Sequence, residues 1–247
     1  MQIKTLASGS DGNCYYITDG ETPLLLDCGI GYREIQTALN FKARQLHGCL
    51  VTHEHKDHAR AVPELIRSRI PVFMTEGTKN NLKIPQQTNR NIFTVEAESP
   101  LPINSWSIIP FEVYHDAAEP VGYLMASNNG EKLLYATDTH FIGHRFTGVT
   151  HLMIEANYCE QILAQNVASQ EVHPNLAKRL YDTHMNLRRL KEFLMNGSWE
   201  QLQEIHLLHL SERNADPMQF KREIQRLTGK PVYIAGEVTP PEVRLYG

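Results

Sequence analysis

Four side chains able to bind a metal ion fall within six residues: His53, His55, Asp57 and His58 of the segment Thr52-His53-Glu54-His55-Lys56-Asp57-His58. Imidazole and carboxylate together suit zinc, manganese or iron, and not calcium or magnesium alone. On a turn at a strand's end, His53 and His55 can reach one ion while Asp57 and His58 reach a second. Further along the chain, His115-Asp116, Asp138 and His209 each end an apolar run. Two ions need about seven ligand positions. The expected division gives His53, His55 and His115 to one ion, and Asp57, His58 and His209 to the other. Asp138 would bridge them, since a shared carboxylate neutralises two cations about 3.5–4 Å apart. A surface run of histidines is the plain alternative, and the buried strand before it and the residues downstream argue against that.

The positioning elements can be read from apolar periodicity. Leu24-Leu26 is a buried run, Tyr32–Leu39 has helical spacing, and Gly48–Thr52 is a buried strand that leads straight into the histidine segment. A helix is expected over Ala61–Ser68 and strands over Pro71–Met74, Trp106–Tyr114, Gly122–Ala126, Lys132–Ala136 and Leu152–Ile154. Asn128-Asn129-Gly130 signals an antiparallel hairpin. Asn175–Leu194 reads as one polar stretch with helical apolar spacing, followed by a strand at Ile205–Leu208. A helix over Pro217–Leu227 has Asp216 as N-cap and Gly229 as its stop, and Pro231–Ile234 is a last strand. Strands with interspersed helices suggest α/β or α+β layers, and the pattern alone does not choose between them.

The chain has 247 residues, 41% hydrophobic and 21% charged, which fits a single domain over residues 1–247 with an ordinary core. Its net charge of -4 excludes bulk basic character, so a nucleic-acid partner needs a local basic patch or bound metal. Cys14, Cys28, Cys49 and Cys159 form no C-x-x-C pair and read as free thiols in a reducing compartment. The start, Met1-Gln2-Ile3-Lys4, has no signal-peptide pattern, and no stretch approaches the ~18 apolar residues of a membrane span. The cytoplasm is the expected compartment, with no membrane partner.

The H-x-H-x-D-H segment and the later order of His, Asp and His resemble the metallo-β-lactamase superfamily, over essentially the whole chain. Ser8-Gly9-Ser10-Asp11-Gly12-Asn13 resembles the opening of the WalJ/YycJ-type exonuclease branch. So do Thr75-Glu76-Gly77-Thr78, His115 through Tyr123, Ala136-Thr137-Asp138-Thr139, Glu155-Ala156-Asn157 and His209 through Asn214. The chain departs from that branch at His140, where glycine is usual, and at His184-Met185-Asn186-Leu187 in place of H-L-S-N. The resemblance implies a four-layer αβ/βα sandwich with two divalent metal ions (Zn²⁺ or Mn²⁺, or Fe). It also implies a DNA 5′-to-3′ exonuclease or a close phosphodiesterase relative. The stretch from Asp138 to His209 leaves no room for the inserted domain of β-CASP nucleases, and flavo-diiron proteins need glutamate where His55 stands.

The expected reaction is attack by a hydroxide shared between the two ions, with Asp57 orienting it and accepting its proton. His184 is a candidate to bind phosphate or protonate the leaving oxygen, the alternative being a solvent-facing helix histidine. Asp27, after Leu24-Leu26, is expected to accept a hydrogen bond from a ligand imidazole, or else is a simple turn residue. The loop Ser8–Asn13, through Ser8, Ser10 and Asn13, could meet a phosphate, though such loops are more often only turns. Arg188 and Arg189, with Arg179 and Lys191, read either as a phosphate-tracking stripe or as the solvated face of an amphipathic helix. His140 and His144 read as loop histidines, and His47, His151, His173 and His206 as structural or surface. The leading expectation is a nuclease with DNA as partner. The alternative is a small-molecule hydrolase of the lactonase, lactamase or thioesterase kind on the same metal site.

Overall fold

The computed structural model describes residues 1–84 and 90–236. Strands β1 (Gln2–Ala7), β2 (Cys14–Thr18), β3 (Leu24–Leu26), β4 (Gly48–Leu50), β5 (Val72–Thr75) and β6 (Ile92–Val95) form one sheet in chain order. Strands β7 (Leu101–Ile103), β8 (Trp106–Glu112), β9 (Val121–Ser127), β10 (Lys132–Ala136), β11 (His151–Glu155), β12 (Glu204–Leu208) and β13 (Val232–Ile234) form the other, again in chain order. Each sheet begins antiparallel and turns parallel, at β3–β4 in the first and at β10–β11 in the second. The helices are α1 (Tyr32–Ala38), α2 (Lys56–Ala59), α3 (Val62–Arg67), α4 (Glu76–Asn81), α5 (Glu160–Ala168), α6 (Pro174–Thr183), α7 (Leu187–Asn196) and α8 (Pro217–Thr228).

Period-two alternation builds the layers. Leu24 and Leu26 face the other sheet, joining Tyr15, Ile17, Trp106, Tyr123 and Tyr135 in the central core. Leu25 faces outward, packed with Ile35 of α1 and Leu65 of α3. The second sheet repeats this: Leu133 and Tyr135 face inward, while Leu134 and Ala136 lie under Leu190 of α7 and Phe220 of α8. Strands apolar on both faces must be covered on both faces, and the result is a four-layer αβ/βα sandwich. All four cysteines are buried and free.

One expected helix is two. The stretch Asn175–Leu194 breaks at His184, whose backbone is extended (φ −129°, ψ 150°), before Asn186 caps α7 by accepting from Arg189 N–H. The break is a tertiary effect. Met185 N–H donates to the Glu155 carboxylate at 3.1 Å, and Met185 and Tyr158 accept backbone bonds from Asn157 and Leu187. These partners are distant in sequence, so apolar spacing carries no sign of them. The strands β2, β6 and β7 and the helices α4 and α5 also lack a sequence expectation above. Most are short, and local pattern is weakest for short elements.

Close packing pins the loop after β3 to α2. Cys28 N–H donates to His58 O (2.7 Å), Gly29 N–H to Asn13 O (2.8 Å), and Asn13 N–H to Asp57 O (2.7 Å). A Cβ on Gly29 would lie 1.6 Å from Asp57 O, inside any real contact distance. Gly29→Ala must therefore push α2 away, and should destabilise by about 3 kcal/mol, the upper part of the overpacking range. Urea denaturation checks this, and an unchanged midpoint would contradict the packing described.

Candidate metal centre

The C-terminal ends of β3, β4, β8, β10, β11 and β12 share one edge of the sandwich, and each hands over a polar residue within three positions of its end, Glu155 being the last residue of β11: Asp27, His53, His115, Asp138, Glu155 and His209. Asp27, Asp138 and His209 have left-handed backbones, with φ of 55°, 48° and 53°. Such a conformation costs a non-glycine residue about 1–3 kcal/mol and persists only where the surroundings enforce it. Here it turns the chain abruptly at the strand end and leaves the side chain at the edge. The segment after β4 supplies His55 from the residue before α2, and Asp57 and His58 from its first turn.

The side chains converge as two groups. One holds His53, His55 and His115, and the other Asp57, His58, Asp138 and His209, with the donor atoms of each group within 4.8 Å of one another. Asp138 stands between them. Its Oδ2 lies 3.4 Å from His58 Nε2, 3.6 Å from His115 Nε2 and 4.0 Å from His53 Nε2, and its Oδ1 lies 3.8 Å from His209 Nε2. Asp57 Oδ2 is 3.3 Å from His58 Nε2 and 3.7 Å from His209 Nε2. Nitrogen and oxygen ligands about 2.0–2.2 Å from one ion are themselves separated by such distances. His53 Nε2 and His209 Nε2 are buried with no hydrogen-bond partner among the described residues. Orphaned buried nitrogens are unfavourable unless something accepts their lone pairs, so the donor set fits divalent cations.

Surrounding bonds set which ring nitrogen faces inward. Asp27 lies 2.8 Å from His58 Nδ1 through Oδ2, and is itself held by Thr52 N–H (2.8 Å) and Tyr135 O–H (2.6 Å). With Nδ1–H donated to Asp27, His58 presents Nε2 to the cluster. His115 Nδ1 is 3.1 Å from Thr183 O, which turns Nε2 inward in the same way.

Sequence reasoning quoted Glu155 and Asn157 in a resemblance but gave them no role. Glu155 is fully buried, 2.6 Å from His184 Nδ1 and 3.5 Å from His209 Nδ1, and it accepts Thr139 N–H at 2.9 Å. Asn157 Nδ2 lies 2.9 Å from His209 Nδ1 and donates to His209 O at 2.8 Å. Glu155 can also be grouped with Asp138, His184 and His209, but its short bond to His184 commits that oxygen elsewhere. A buried glutamate ending an apolar strand was the signal that could have found it.

Electrostatics link the groups. Burial pushes the His58 and His209 imidazoles down, but Asp138 and, respectively, Asp27 and Asp57 outweigh it, raising His58 and taking His209 up to about 10. Burial pushes Asp57 and Asp138 up, and the neighbouring histidines outweigh it, holding both below the carboxylate range. Burial drives His53 and His115 down. His184 is raised because Glu155 overrides its burial.

The residues expected to meet substrate divide differently. Ser10 is exposed and lines the groove over the cluster. Ser8 Oγ bonds Tyr15 O–H and accepts His209 N–H (3.0 Å), so it braces the site. Asn13 is fully buried, with Nδ2 3.1 Å from His58 Nε2 and Oδ1 accepting Gly9 N–H and Tyr15 O–H. Of the arginine stripe, only Arg179 lines the groove. Arg188 pairs with Glu160 and Glu192, Lys191 with Glu223, and Arg189 donates to the carbonyls of His140 and Tyr181. The groove is lined instead by Arg60, Arg179 and Arg213, of which the sequence had singled out Arg179 alone.

A model of the β-lactamase superfamily domain matches residues 22–206. Exodeoxyribonuclease YycJ of Bacillus anthracis is 34% identical over 162 residues, covering 60% of this chain and 58% of that protein. Exodeoxyribonuclease WalJ of Streptococcus pneumoniae is 27% identical over 226 residues, covering 87% of this chain and 83% of that protein. The match thus spans little more than half the length of the first of these relatives. The metallo-β-lactamase fold protein YhfI from Bacillus subtilis superposes with a TM-score of 0.70 at 16% identity, over 94% of this chain and 95% of that one. No helix among the described residues is long and apolar enough to cross a membrane.

Two outcomes follow for metal binding. Asp27→Ala, which frees the His58 ring, should weaken cation affinity about 10–100-fold, measured as metal content after dialysis. The protons held on His58 and His209 in the metal-free protein must leave before those nitrogens can bind a cation. Affinity should therefore rise with pH from neutrality towards about 10, where His209 loses its proton unaided. Titration calorimetry in buffers of different ionisation enthalpy should detect proton release, and a buffer-independent heat would contradict it.

Proposed function

The chain belongs to the metallo-β-lactamase superfamily and is similar to the YycJ and WalJ exodeoxyribonucleases; from that premise we propose that it is a metal-dependent hydrolase that removes nucleotides from DNA ends in the 5′-to-3′ sense. The ligands under this reading are His53, His55 and His115 for one cation, Asp57, His58 and His209 for the other, and Asp138 for both.

The groove over the cluster supports a polyanionic substrate most directly. It encloses about 850 Å³ and is lined by the loop Ser8–Gly12, by His184 and His209, and by Arg60, Arg179 and Arg213. Arg179 is held towards the site by Asp116 (2.9 Å), whose other oxygen lies 3.2 Å from His115 Nε2. Arg60 and Arg213 are exposed, and their guanidinium groups have no partner among the described residues. Asp11, Glu34, Glu171 and Glu212 share the lining, so the groove is of mixed charge. Three arginines around bound cations give phosphates a local attraction that the acidic whole does not.

Two divalent cations supply Lewis-acid chemistry here, activating water near neutral pH and neutralising charge on a phosphodiester. Asp57, ionised and partly exposed, would orient a water at the cations and accept its proton. His184 is tied through Nδ1 to Glu155, leaving Nε2 as the atom that can meet the leaving oxygen. Glu155 outweighs burial and raises the His184 pKa, which favours the protonated ring. The Arg60, Arg179 and Arg213 guanidinium groups hold the flanking phosphates.

With Mn²⁺ or Zn²⁺, the protein should release nucleotides from 5′ ends of labelled duplex DNA. Asp138→Asn should lose at least about a hundredfold, and His184→Ala should lower kcat about 10²–10⁴-fold. Turnover of a lactone and thioester panel with DNA left intact would sink the nuclease reading in favour of a small-molecule hydrolase.

A further inference from the structure

A second cavity, of about 570 Å³, shares no lining residue with the groove, and its lining begins at His140, two residues after Asp138. One wall is the loop His140–Phe146, which leaves the strand end just after Asp138. The other is α7 with Trp199 beyond it. The loop is fastened to the metal centre. Tyr114 N–H donates to Thr139 Oγ1 (3.0 Å) and His140 N–H to Tyr114 O (3.2 Å), and Tyr114 precedes His115. Met185, the neighbour of His184, also lines the cavity.

The lining joins apolar ring surface to positive charge, of which Arg145 has no partner among the described residues. Phe141 is 53% exposed, and the rings of Phe193 and Trp199 sit 5.3 Å apart. The indole N–H of Trp199 is already donated to Leu194 O (2.9 Å), which leaves the ring surface as its means of contact. Arg145 is exposed and makes no hydrogen bond or ion pair among the described residues. Arg189 donates only to carbonyl oxygens, and the acidic member of the lining, Glu192, is held by Arg188 at 2.8 Å. A wholly apolar ligand would leave the Arg145 charge unanswered, and an inorganic anion would make no use of the rings.

We propose that this cavity receives one unstacked nucleobase of a single-stranded DNA end, with Arg145 meeting an adjacent phosphate. The inference rests on the nuclease reading above and adds a specific subsite to it. Aromatic surfaces take any base by its face, and a neighbouring guanidinium strengthens the stack. A base held there is unpaired, which suits cleavage one nucleotide at a time.

Trp199 gives the test its signal. The chain has two tryptophans, and the other, Trp106, is sealed between the sheets. A 5′-phosphorylated tetranucleotide with cleavage-resistant phosphorothioate links is titrated against the whole protein, then an abasic strand of equal charge. The base-bearing strand should quench Trp199 saturably and bind about five- to a hundredfold tighter than the abasic one. Phe141→Ala and Arg145→Ala, both at exposed positions, should each weaken it about fivefold or more. Equal affinity for the abasic strand, or unchanged affinity in both variants, while labelled DNA is still degraded, overturns the subsite and leaves the nuclease reading standing. Failure of the wild-type protein to degrade DNA or bind the strand overturns both.

Discussion

Five imidazoles and two carboxylates point into one small space, and they satisfy one another only in part. His53 Nε2 and His209 Nε2 are buried without hydrogen-bond partners among the described residues, while Asp57 and Asp138 stay ionised beside them. In the metal-free protein, protons on His58 and His209 offset the carboxylate charge. Divalent cations do the same with more charge and with the coordination that lone pairs require. The rest of the structure serves to hold these side chains at an otherwise unfavourable separation.

The two sheets share that task. The first delivers Asp27 and the histidine segment, and the second delivers His115, Asp138, Glu155 and His209. The inter-sheet core built around Trp106, Tyr15, Tyr123 and Tyr135 fixes one half against the other. Tyr135 does so twice over, since its ring lies in that core and its hydroxyl donates to Asp27 across the interface. Asp27 then orients His58, so a hydrophobic contact and a metal-facing nitrogen are two bonds apart. The left-handed turns at Asp27, Asp138 and His209 show backbone strain gathered where the site needs it and sustained by packing elsewhere.

Glu155 connects the cluster to the helical flank. It takes His184 Nδ1 on one oxygen and Thr139 N–H and Met185 N–H on the other. One buried charge thereby organises the extended break between α6 and α7, brings His184 to the groove, and anchors the start of the loop that walls the second cavity. His184 lines the groove and its neighbour Met185 lines the aromatic cavity.

Local pattern in the chain singled out the histidines and aspartates that the fold gathers at one edge, and the apolar runs that end at them. Imidazole spacing and strand periodicity are properties of neighbours along the backbone. It was also enough for the hairpin at Asn128–Gly130, the Asp216 cap and the Gly229 stop, each a matter of one or two residues' own preferences. What it could not contain was the meeting of groups distant in sequence. The division of Asn175–Leu194 into two helices, the role of Glu155, and the use of Arg60 and Arg213 rather than Arg188 at the groove depend on which surfaces the sheets bring together. Apolar spacing is blind to that, because a buried carboxylate or an incoming strand end rewards a broken helix only once the tertiary partner is in place.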